Sequence, residues 1–278
     1  MKIVTTIPEL RAERAKLPGP VGFVPTMGYL HAGHLSLARR AREESASVVA
    51  SIFVNPTQFA PTEDLDSYPR DLERDSRLLE EAGVDLLWTP TPEVMYGENF
   101  QTWVTVDEVT QVLEGASRPT HFRGVTTVVA KLFNGVQPQK AYFGQKDAQQ
   151  AIVIRRMVQD LNFPIEIVVC PIVREPDGLA LSSRNAYLVP VQRQAATVLS
   201  RSLNAAKDAF HAGQRDADTL RALVTEIVNA EPLADLEYIS CAHPDTLQEL
   251  YGEVERALFS MAARVGRTRL IDNLIVES

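Results

Sequence analysis

Short apolar runs alternate with stretches of helical periodicity along residues 1–174. The runs of the kind typical of buried parallel strands are Lys2–Thr6, Val21–Val24, Ser47–Val54, Val84–Trp88, Lys140–Phe143 and Ile165–Val169. Between them, apolar residues recur at the three- and four-residue spacing that predicts helices. Strands that alternate with helices predict an α/β domain, a parallel sheet with helices on both faces.

The pattern changes after Glu175–Gly178, a polar turn that we interpret as a hinge. The elements predicted beyond it are two helices, near 191–211 and 219–229, and three strands, Leu236–Cys241, Ala257–Val265 and Arg269–Val276. Without regular alternation, this order favours a smaller α+β domain over residues 175–278. In the first domain, Trp103–Val106 is predicted as a further short strand.

Composition limits the kinds of protein that this chain can be. Its 278 residues, 45% hydrophobic and 23% charged, are typical of a soluble globular protein with a sizeable core. A formal net charge of -8 argues against a nucleic-acid partner bound through a broad basic surface. We find neither an apolar run long enough for a membrane span nor a signal peptide, so a cytoplasmic protein is expected. Cys170 and Cys241 lie in strand-like runs and are expected to be buried thiols, since no Cys/His cluster has zinc-ligand spacing.

The segment Pro25–His34 places two glycines and two histidines between a predicted strand and a predicted helix. A helix start directs its unpaired N–H groups and the positive end of its dipole above the sheet, and glycine lets the backbone approach a ligand closely. His31 and His34 are three positions apart, so they can lie on one face and both donate to a phosphate. Either histidine could instead be a helix cap or a surface residue, but the strand-turn-helix setting favours a functional role.

Two more polar turns, Asn55–Phe59 and Gly144–Asp147, follow predicted strands. The carboxyl ends of parallel strands are where open α/β sheets bind ligands. In the second turn, Lys146 offers a point charge for phosphate and Asp147 a carboxylate for ribose hydroxyls. Taken alone, that turn is more simply interpreted as a solvated loop with a helix-capping aspartate.

Six motifs occur in one order along the chain, namely Pro25–His34, Phe53–Phe59, Tyr68–Arg70, His121–Val125, Phe143–Gln150 and Asp177–Asn185. Together they resemble the motif set of the pantothenate synthetase family, the ATP-dependent pantoate–β-alanine ligases. The residues beyond about 190 carry no such motif. The resemblance implies a Rossmann-like nucleotidyltransferase domain with an H-x-G-H signature, a small C-terminal lid and a homodimer.

The resemblance implies a reaction in two steps. The carboxylate of pantoate attacks the α-phosphate of ATP to give pantoyl adenylate and pyrophosphate, and the amine of β-alanine then attacks the acyl carbon to give pantothenate and AMP. Activation is required because a carboxylate does not acylate an amine at neutral pH, whereas AMP is a good leaving group. The implied partners are small molecules, with neither nucleic acid nor membrane.

The resemblance also implies which residues carry the chemistry. His34 corresponds to the family's proton donor, and Gln58 and Gln150 correspond to residues that hold pantoate and β-alanine through neutral amides. The positions implied for ATP are Met27, Gly28, Tyr29, Leu30, His31, Ala32, Gly33, His34, Gly144, Gln145, Lys146, Asp147, Val173, Leu181, Ser182, Ser183 and Arg184.

Several of these roles depend on the resemblance alone. Val173 is implied to offer backbone hydrogen bonds to adenine, and Ser182–Arg184 to clamp the triphosphate. Without the resemblance, a valine there would be core, Ser-Ser-Arg a surface turn and an isolated glutamine solvent-facing. A helical face formed by Val125, Val128, Val129 and Leu132 has two interpretations: it packs against the sheet, or its end contacts the methyl groups of pantoate.

One stretch departs from the family pattern. Some relatives carry consecutive acidic residues after Tyr-Pro-Arg and use them near magnesium, whereas here Arg74 interrupts the acidic run Asp71–Asp75. We therefore expect Mg²⁺ to arrive on the ATP phosphates and assign no metal ligand to the protein.

Two other functions compete with a ligase. A nucleotidylyltransferase, which leaves the nucleotide on its product, also uses H-x-G-H, and release of AMP that depends on an amine would separate the two. A nucleotide-binding regulatory module would need neither both histidines nor Lys146 and would show no turnover. A class I tRNA synthetase is disfavoured by the chain's length and acidic balance.

Overall fold

The computed structural model of the chain describes residues 1–60, 63 and 65–278, and the fold divides into two units. The first unit comprises Met1–Gly144 and Gln149–Pro171, and the second comprises Gln145–Ala148 and Ile172–Ser278. The sequence-based boundary lies a little later, between residues 174 and 175. Nothing in the sequence pattern assigns Gln145–Ala148 to the second unit, although these residues carry part of the implied ATP site.

Six strands form one parallel sheet in the first unit, which confirms the predicted α/β fold. They are β1 (Lys2–Val4), β2 (Val21–Thr26), β3 (Ser47–Ile52), β4 (Leu86–Trp88), β5 (Lys140–Gly144) and β6 (Glu166–Cys170). The order across the sheet is β1-β4-β3-β2-β5-β6, so the winding reverses beside β2. The carboxyl ends of strands at such a reversal are where open α/β sheets hold ligands.

Helices cover both faces of this sheet. They are α1 (Ile7–Arg14), α2 (Ala32–Glu44), α3 (Leu72–Glu81), α4 (Pro92–Met95), α5 (Glu114–Ser117), α6 (His121–Val136) and α7 (Ala148–Asp160). Because successive strand residues point to opposite faces, Phe23 packs in the core shared with α1, α6 and α7, whereas Val24 packs in the core shared with α2 and α3. The same alternation places Phe143 in the first core and Tyr142 in the second.

The second unit is built from an antiparallel sheet and helices, as expected for a smaller α+β domain. Its elements are α8 (Pro190–Ala195), α9 (Val198–His211), α10 (Ala217–Asn229), β7 (Ala234–Ala242), β8 (Arg256–Val265) and β9 (Thr268–Glu277). β8 is the central strand of the order β7-β8-β9. One core joins Leu203 and Phe210 of α9 with Val224 of α10 and Phe259 of β8.

Two local predictions are wrong. Trp103–Val106 is not a strand, because its backbone bonds to helix side chains: the Val104 N–H donates to Thr127 Oγ1 at 3.0 Å, and the Val104 carbonyl accepts from Thr126 Oγ1 at 2.6 Å. The helical pattern near 191–211 forms two helices, α8 and α9.

The apolar face of α6 and the two cysteines are buried. The face of α6 that had two interpretations is buried in the first unit's core, which supports packing against the sheet; its members are Val125, Val128, Val129 and Leu132. Cys170 and Cys241 are both buried and carry no disulfide, as predicted.

Helix α6 lies very close to the backbone of the turn that follows β3. A Cβ atom added at Gly124 would lie 2.5 Å from the carbonyl oxygen of Thr57 and 2.7 Å from the backbone nitrogen of Gln58. The Gly124 carbonyl also accepts from Asn55 Nδ2 at 3.2 Å. The absence of a side chain at this position therefore sets the distance between α6 and the turn that carries Gln58.

We expect Gly124→Ala to destabilise the first unit. Helix propensity alone would favour alanine by about 1 kcal/mol. The clash with backbone atoms should outweigh that gain, because overpacking of a tight contact costs roughly 1–3 kcal/mol. Urea unfolding followed by tryptophan fluorescence measures this unit, since the chain's two tryptophans, Trp88 and Trp103, both belong to it.

Gly97→Ala is the matched control, because Gly97 is exposed and an added Cβ would meet nothing within 4 Å. A Gly124→Ala protein that unfolds at the wild-type urea concentration or above would show that α6 can move away from the turn at no cost.

Candidate active site

The turn between β2 and α2 has a backbone conformation that few residues adopt. Gly28 has φ +85°, and Tyr29 follows with φ 50°. A Cβ atom at Gly28 would lie 3.0 Å from Ile52 Cγ2 and 3.2 Å from Asp75 Oδ2, so glycine is required by both angle and space. The Gly28 N–H donates to Thr26 Oγ1 at 3.2 Å. The chain therefore reverses directly above β2 and enters α2.

His31 and His34 form a reciprocal cap at the start of α2. His31 is the N-cap residue, and its Nδ1 accepts from the Gly33 N–H at 3.2 Å. Nδ1 of His34 accepts from the His31 N–H at 3.4 Å, and the ring centroids are 4.1 Å apart. Because both Nδ1 atoms accept, each neutral ring carries its proton on Nε2. The arrangement supplies two neighbouring Nε2–H donors at the positive end of a helix dipole.

Asp75 of α3 holds this turn, a role that the sequence analysis missed. Its side chain is 1% exposed, and its carboxylate accepts from the Tyr29 N–H at 2.6 Å and the Leu30 N–H at 2.8 Å. Burial raises the pKa of Asp75, while the N–H groups of Leu30 and Tyr29 and the charge of Arg74 act in the opposite direction. The sequence does contain a signal: Asp75 lies four positions before Leu79 and seven before Ala82, on the buried face of the helix.

Arg74 contacts the same turn through the Leu30 carbonyl and the Tyr29 ring. Its Nη2 donates to the Leu30 carbonyl at 2.9 Å, and its guanidinium lies 5.7 Å from the centre of the Tyr29 ring. The residue that interrupts the acidic run therefore binds the backbone of the histidine turn. Asp71, at the start of the run, accepts from the Arg74 N–H at 3.1 Å and caps α3.

Gln58 lies in a short 3-10 turn, Pro56–Gln58, at the end of β3 and is nearly buried. Its Oε1 accepts from Asn55 Nδ2 at 3.1 Å, and its Nε2 lies 3.0 Å from Met27 Sδ. The structure therefore brings Gln58 together with Met27 of the histidine turn. An amide oxygen accepts two bonds and an amide nitrogen donates two, so Gln58 can bind a ligand in addition to these contacts.

The backbone of Gln58 is held by a buried network. The Gln58 carbonyl accepts from His121 Nδ1 at 2.9 Å and from Arg118 Nη2 at 3.3 Å. Because Nδ1 donates, Nε2 of the neutral ring is an acceptor, and Arg118 Nη1 lies 3.3 Å from it. Arg118 in turn pairs with Glu63. Burial, and then the charge of Arg118, lower the pKa of His121 to about 4.

The two glutamines at the start of α7 differ in their surroundings. Gln149 is buried, and its Nε2 donates to the carbonyls of Val109 and Val112, both at 2.8 Å, while its Oε1 accepts from the Glu114 N–H at 3.0 Å. It therefore fixes the irregular segment before α6. Gln150, the predicted substrate residue, is partly exposed in the first unit.

Gln145–Asp147 form a short 3-10 turn that belongs to the second unit. Lys146 Nζ lies 3.5 Å from Asp147 Oδ1. The carbonyls of Gln145 and Lys146 both accept from Nδ2 of Asn273, a residue of β9, at 2.9 Å. Asn273 is a second residue that the sequence analysis missed, because it lies far along the chain in a region without motifs.

Of the remaining predicted ATP residues, Gly144 ends β5 in the first unit, whereas Val173 and Leu181–Arg184 lie in the second unit. The Val173 carbonyl accepts from the Leu181 N–H at 3.0 Å, so a hairpin joins these two positions. Ser182 then caps a 3-10 helix, Ser183–Tyr187, with its Oγ accepting from the Arg184 N–H at 3.3 Å. The turn Glu175–Gly178 lies inside this hairpin, within the second unit.

The described part of the chain lacks a metal-binding cluster and a membrane-spanning helix. Among residues 1–60, 63 and 65–278, no group of three or more His, Cys, Asp or Glu side chains is arranged to hold a metal ion. Within the same residues, no helix is both long and apolar enough to cross a membrane.

A family profile described as Pantoate-beta-alanine ligase matches residues 2–275. The chain belongs to the pantoate-β-alanine ligase family. The pantothenate synthetase of Roseiflexus sp. (strain RS-1) is 59% identical over 278 residues, which cover 100% of both chains. That of Herpetosiphon aurantiacus is 57% identical over 277 residues, which cover 99% of this chain and 100% of the relative.

Solved structures of the pantoate-β-alanine ligase family share the fold. Pantothenate synthetase from Thermus thermophilus superposes with a TM-score of 0.96 at 54% identity and covers 100% of both chains. A pantoate-β-alanine ligase from Francisella tularensis, complexed with β-γ ATP and β-alanine, gives a TM-score of 0.81 at 35% identity and covers 99% of this chain and 97% of its own. These matches confirm the resemblance drawn from the six motifs, and they show that the chain is a ligase.

The buried His121 predicts a particular pH dependence of stability. In the unfolded chain a histidine has a pKa near 6.5, whereas in the fold the pKa of His121 is about 4. Between these values the unfolded state binds a proton that the folded state does not, so the free energy of unfolding should fall as the pH falls from about 6.5 to 4. We expect a loss on the order of 1–3 kcal/mol, measured by urea unfolding followed by tryptophan fluorescence.

His121→Gln, which keeps a donor for the Gln58 carbonyl, should lose this contribution to the pH dependence. His211→Gln changes an exposed histidine and keeps His121, so it should retain the wild-type profile. Identical profiles for wild type and His121→Gln would show that His121 does not resist protonation in the fold.

Proposed function

We propose that this ligase condenses pantoate with β-alanine through a pantoyl adenylate, consuming ATP and releasing pyrophosphate and AMP. The observation that carries the proposal is the reciprocal cap of His31 and His34 at the start of α2, in which both Nδ1 atoms accept, so each neutral ring carries its proton on Nε2. Support also comes from the Francisella relative, whose crystal structure is a complex with β-γ ATP and β-alanine.

The proposed first step is a displacement at phosphorus. A carboxylate oxygen of pantoate forms a bond to the α-phosphate of ATP, the bond to the bridging oxygen of the β-phosphate breaks, and that oxygen leaves with pyrophosphate. Negative charge grows on the phosphate oxygens in the transition state. Donors that are already oriented stabilise this charge without reorganising. In this proposal His34 and His31 are those donors.

The proposed second step is acyl transfer. The neutral amine of β-alanine attacks the carbonyl carbon of the adenylate, the bond from that carbon to the AMP oxygen breaks, and the nitrogen loses a proton. AMP leaves as a stabilised anion, which is the reason for activating pantoate first.

The first unit is proposed to bind the nucleotide through backbone groups and pantoate through side-chain amides. The turn Met27–Gly33 would wrap the nucleotide with its backbone at the start of α2, and β5 ends at Gly144. Gln58 and Gln150 would hold pantoate without a fixed charge, which leaves the carboxylate nucleophile unneutralised. The contact of Gln58 with Met27 Sδ supports a pantoate position beside the histidine turn.

The second unit is proposed to serve the phosphates and the nucleoside. Lys146 would supply a point charge to the phosphates, Asp147 would accept from ribose hydroxyls, and Val173 would bond adenine through its backbone. Ser182, Ser183 and Arg184 would bind the triphosphate through two hydroxyls and a guanidinium. Residues 175–278 are proposed to act as a lid.

The proposal also includes the source of magnesium, the cellular location and the oligomeric state. Magnesium would arrive on the ATP phosphates, since Mg²⁺ commonly binds through substrate phosphates and retained waters, and we assign it no protein ligand. A cytoplasmic location and a homodimer are proposed from the resemblance to the family.

The proposal predicts ATP–pyrophosphate exchange that requires pantoate and proceeds without β-alanine. His34→Ala should slow this exchange by roughly a hundredfold, the usual effect of removing one preorganised donor. It should cost only about 0.5–2 kcal/mol of stability, the usual value of a lost helix cap. Gln58→Ala should raise the KM for pantoate far more than the KM for ATP.

His211→Ala is the control for a histidine outside the turn. Exchange that strictly requires β-alanine would contradict a free adenylate. If pantoate-dependent exchange occurs but added β-alanine does not cause release of AMP, the protein would instead be a nucleotidylyltransferase that leaves the nucleotide on its product.

A further inference from the structure

Asp272 and Asn273 are two polar side chains buried in the second unit, on strand β9, and they are 2% and 3% exposed. Buried polar groups of this kind are normally satisfied by hydrogen bonds. Apart from one bond between the two residues, the partners of these side chains lie outside β9. They are the 3-10 turn that carries Lys146 and the hairpin that precedes Ser182.

The amide of Asn273 is matched to the turn atom by atom. Its Nδ2 donates to the carbonyls of Gln145 and Lys146, both at 2.9 Å, and its Oδ1 accepts from Gln145 Nε2 at 3.0 Å. Both N–H groups of the side chain are therefore used on consecutive carbonyls. An aspartate has no N–H to donate, so only an amide of this length satisfies all three bonds.

Asp272 ties the same strand to the hairpin. Arg174 binds both carboxylate oxygens, at 2.6 and 2.8 Å, and also donates to the Gly178 carbonyl at 3.0 Å. Asp272 Oδ1 in turn accepts from the Asn273 N–H at 2.7 Å. A bidentate pair with a buried carboxylate fixes both partners in one geometry, so the position of Asn273 is set by a rigid contact.

We propose that Asn273 is a positioning residue that aims Lys146 at the phosphates of ATP. This inference rests on the proposed function, in which Lys146 binds those phosphates. A lysine ammonium sits on a flexible four-carbon stem, so its placement depends on how firmly its backbone is held. The turn spans only Gln145–Asp147, and Asn273 holds two of its three carbonyls.

The first test is a comparison of Michaelis constants. Asn273→Ala should raise the KM for ATP about tenfold, because freeing two carbonyls lets the turn and the ammonium move. The KM values for pantoate and β-alanine should stay within about twofold of wild type. A uniform loss in kcat with an unchanged KM for ATP would overturn the proposal.

The decisive test is a double-mutant cycle with Lys146→Ala. If Asn273 acts through the ammonium, Asn273→Ala should change kcat/KM for ATP by less than about twofold once Lys146 is already alanine. Additive effects of the two substitutions would overturn the proposal and leave Asn273 a general support of the second unit.

Ser240→Ala is the matched control, because Ser240 is a buried polar residue on β7 of the same sheet and bonds to Glu249, away from the turn. It should lower the melting temperature without changing the KM for ATP. If Asn273→Ala does not fold, Asn273→Ser, which keeps one hydroxyl donor, carries the same cycle. An effect of Asn273→Ser that persists undiminished beside Lys146→Ala would overturn the proposal.

Calorimetric titration with MgATP separates this inference from the proposed function. The positioning role predicts that Asn273→Ala binds MgATP more weakly than wild type, and that the same substitution does not weaken MgATP binding when Lys146 is already alanine. These two results support the positioning role even if wild type shows no pantoate-dependent exchange. Absence of pantoate-dependent exchange in the wild type would contradict the proposed function but not the positioning role. Equal MgATP binding by wild type and Asn273→Ala would overturn the positioning role alone.

Discussion

Both oxygens of the Asp75 carboxylate accept backbone N–H groups from one turn, that of Tyr29 at 2.6 Å and that of Leu30 at 2.8 Å. The turn needs such support, because a tyrosine at φ 50° occupies a costly conformation that persists only when its surroundings hold it. His31, which follows Leu30, is the N-cap of α2, so the direction in which the turn ends decides where both histidine rings lie. A buried charge on α3 thus determines the geometry of the proposed phosphate donors.

In both units, a short turn is stabilised by hydrogen bonds to a buried side chain from a distant part of the chain. A buried polar side chain from a regular element takes up consecutive backbone groups of a short turn: Asp75 accepts two N–H groups, and Asn273 donates to two carbonyls. Each partner matches the polarity of the groups it meets. Leaving any of these groups unpaired after burial would cost about 1–3 kcal/mol, so the supporting residues restrict each turn to one conformation.

Local signals in the sequence predicted much of the fold. Apolar runs and helical spacing located the six parallel strands and most helices, and the glycines and histidines of Pro25–His34 marked the strand-turn-helix junction. Contacts between distant segments could not be predicted. Asp75 is 45 residues from Leu30, and Asn273 is 127 from Lys146, so no motif links either pair. Trp103–Val106 failed as a strand for the same reason, because α6 satisfies its backbone.

Substitution of Asp75 by asparagine tests most directly whether this carboxylate sets the histidine geometry. Asparagine keeps the shape but turns an N–H₂ group towards one backbone N–H, and a bond to a charged acceptor is worth about 1.5–3 kcal/mol. Pantoate-dependent ATP–pyrophosphate exchange should therefore fall roughly tenfold or more, while Glu73→Gln, an exposed change on the same helix, should leave it unaltered. Wild-type exchange by a folded Asp75→Asn protein would contradict the dependence of the histidine turn on this carboxylate.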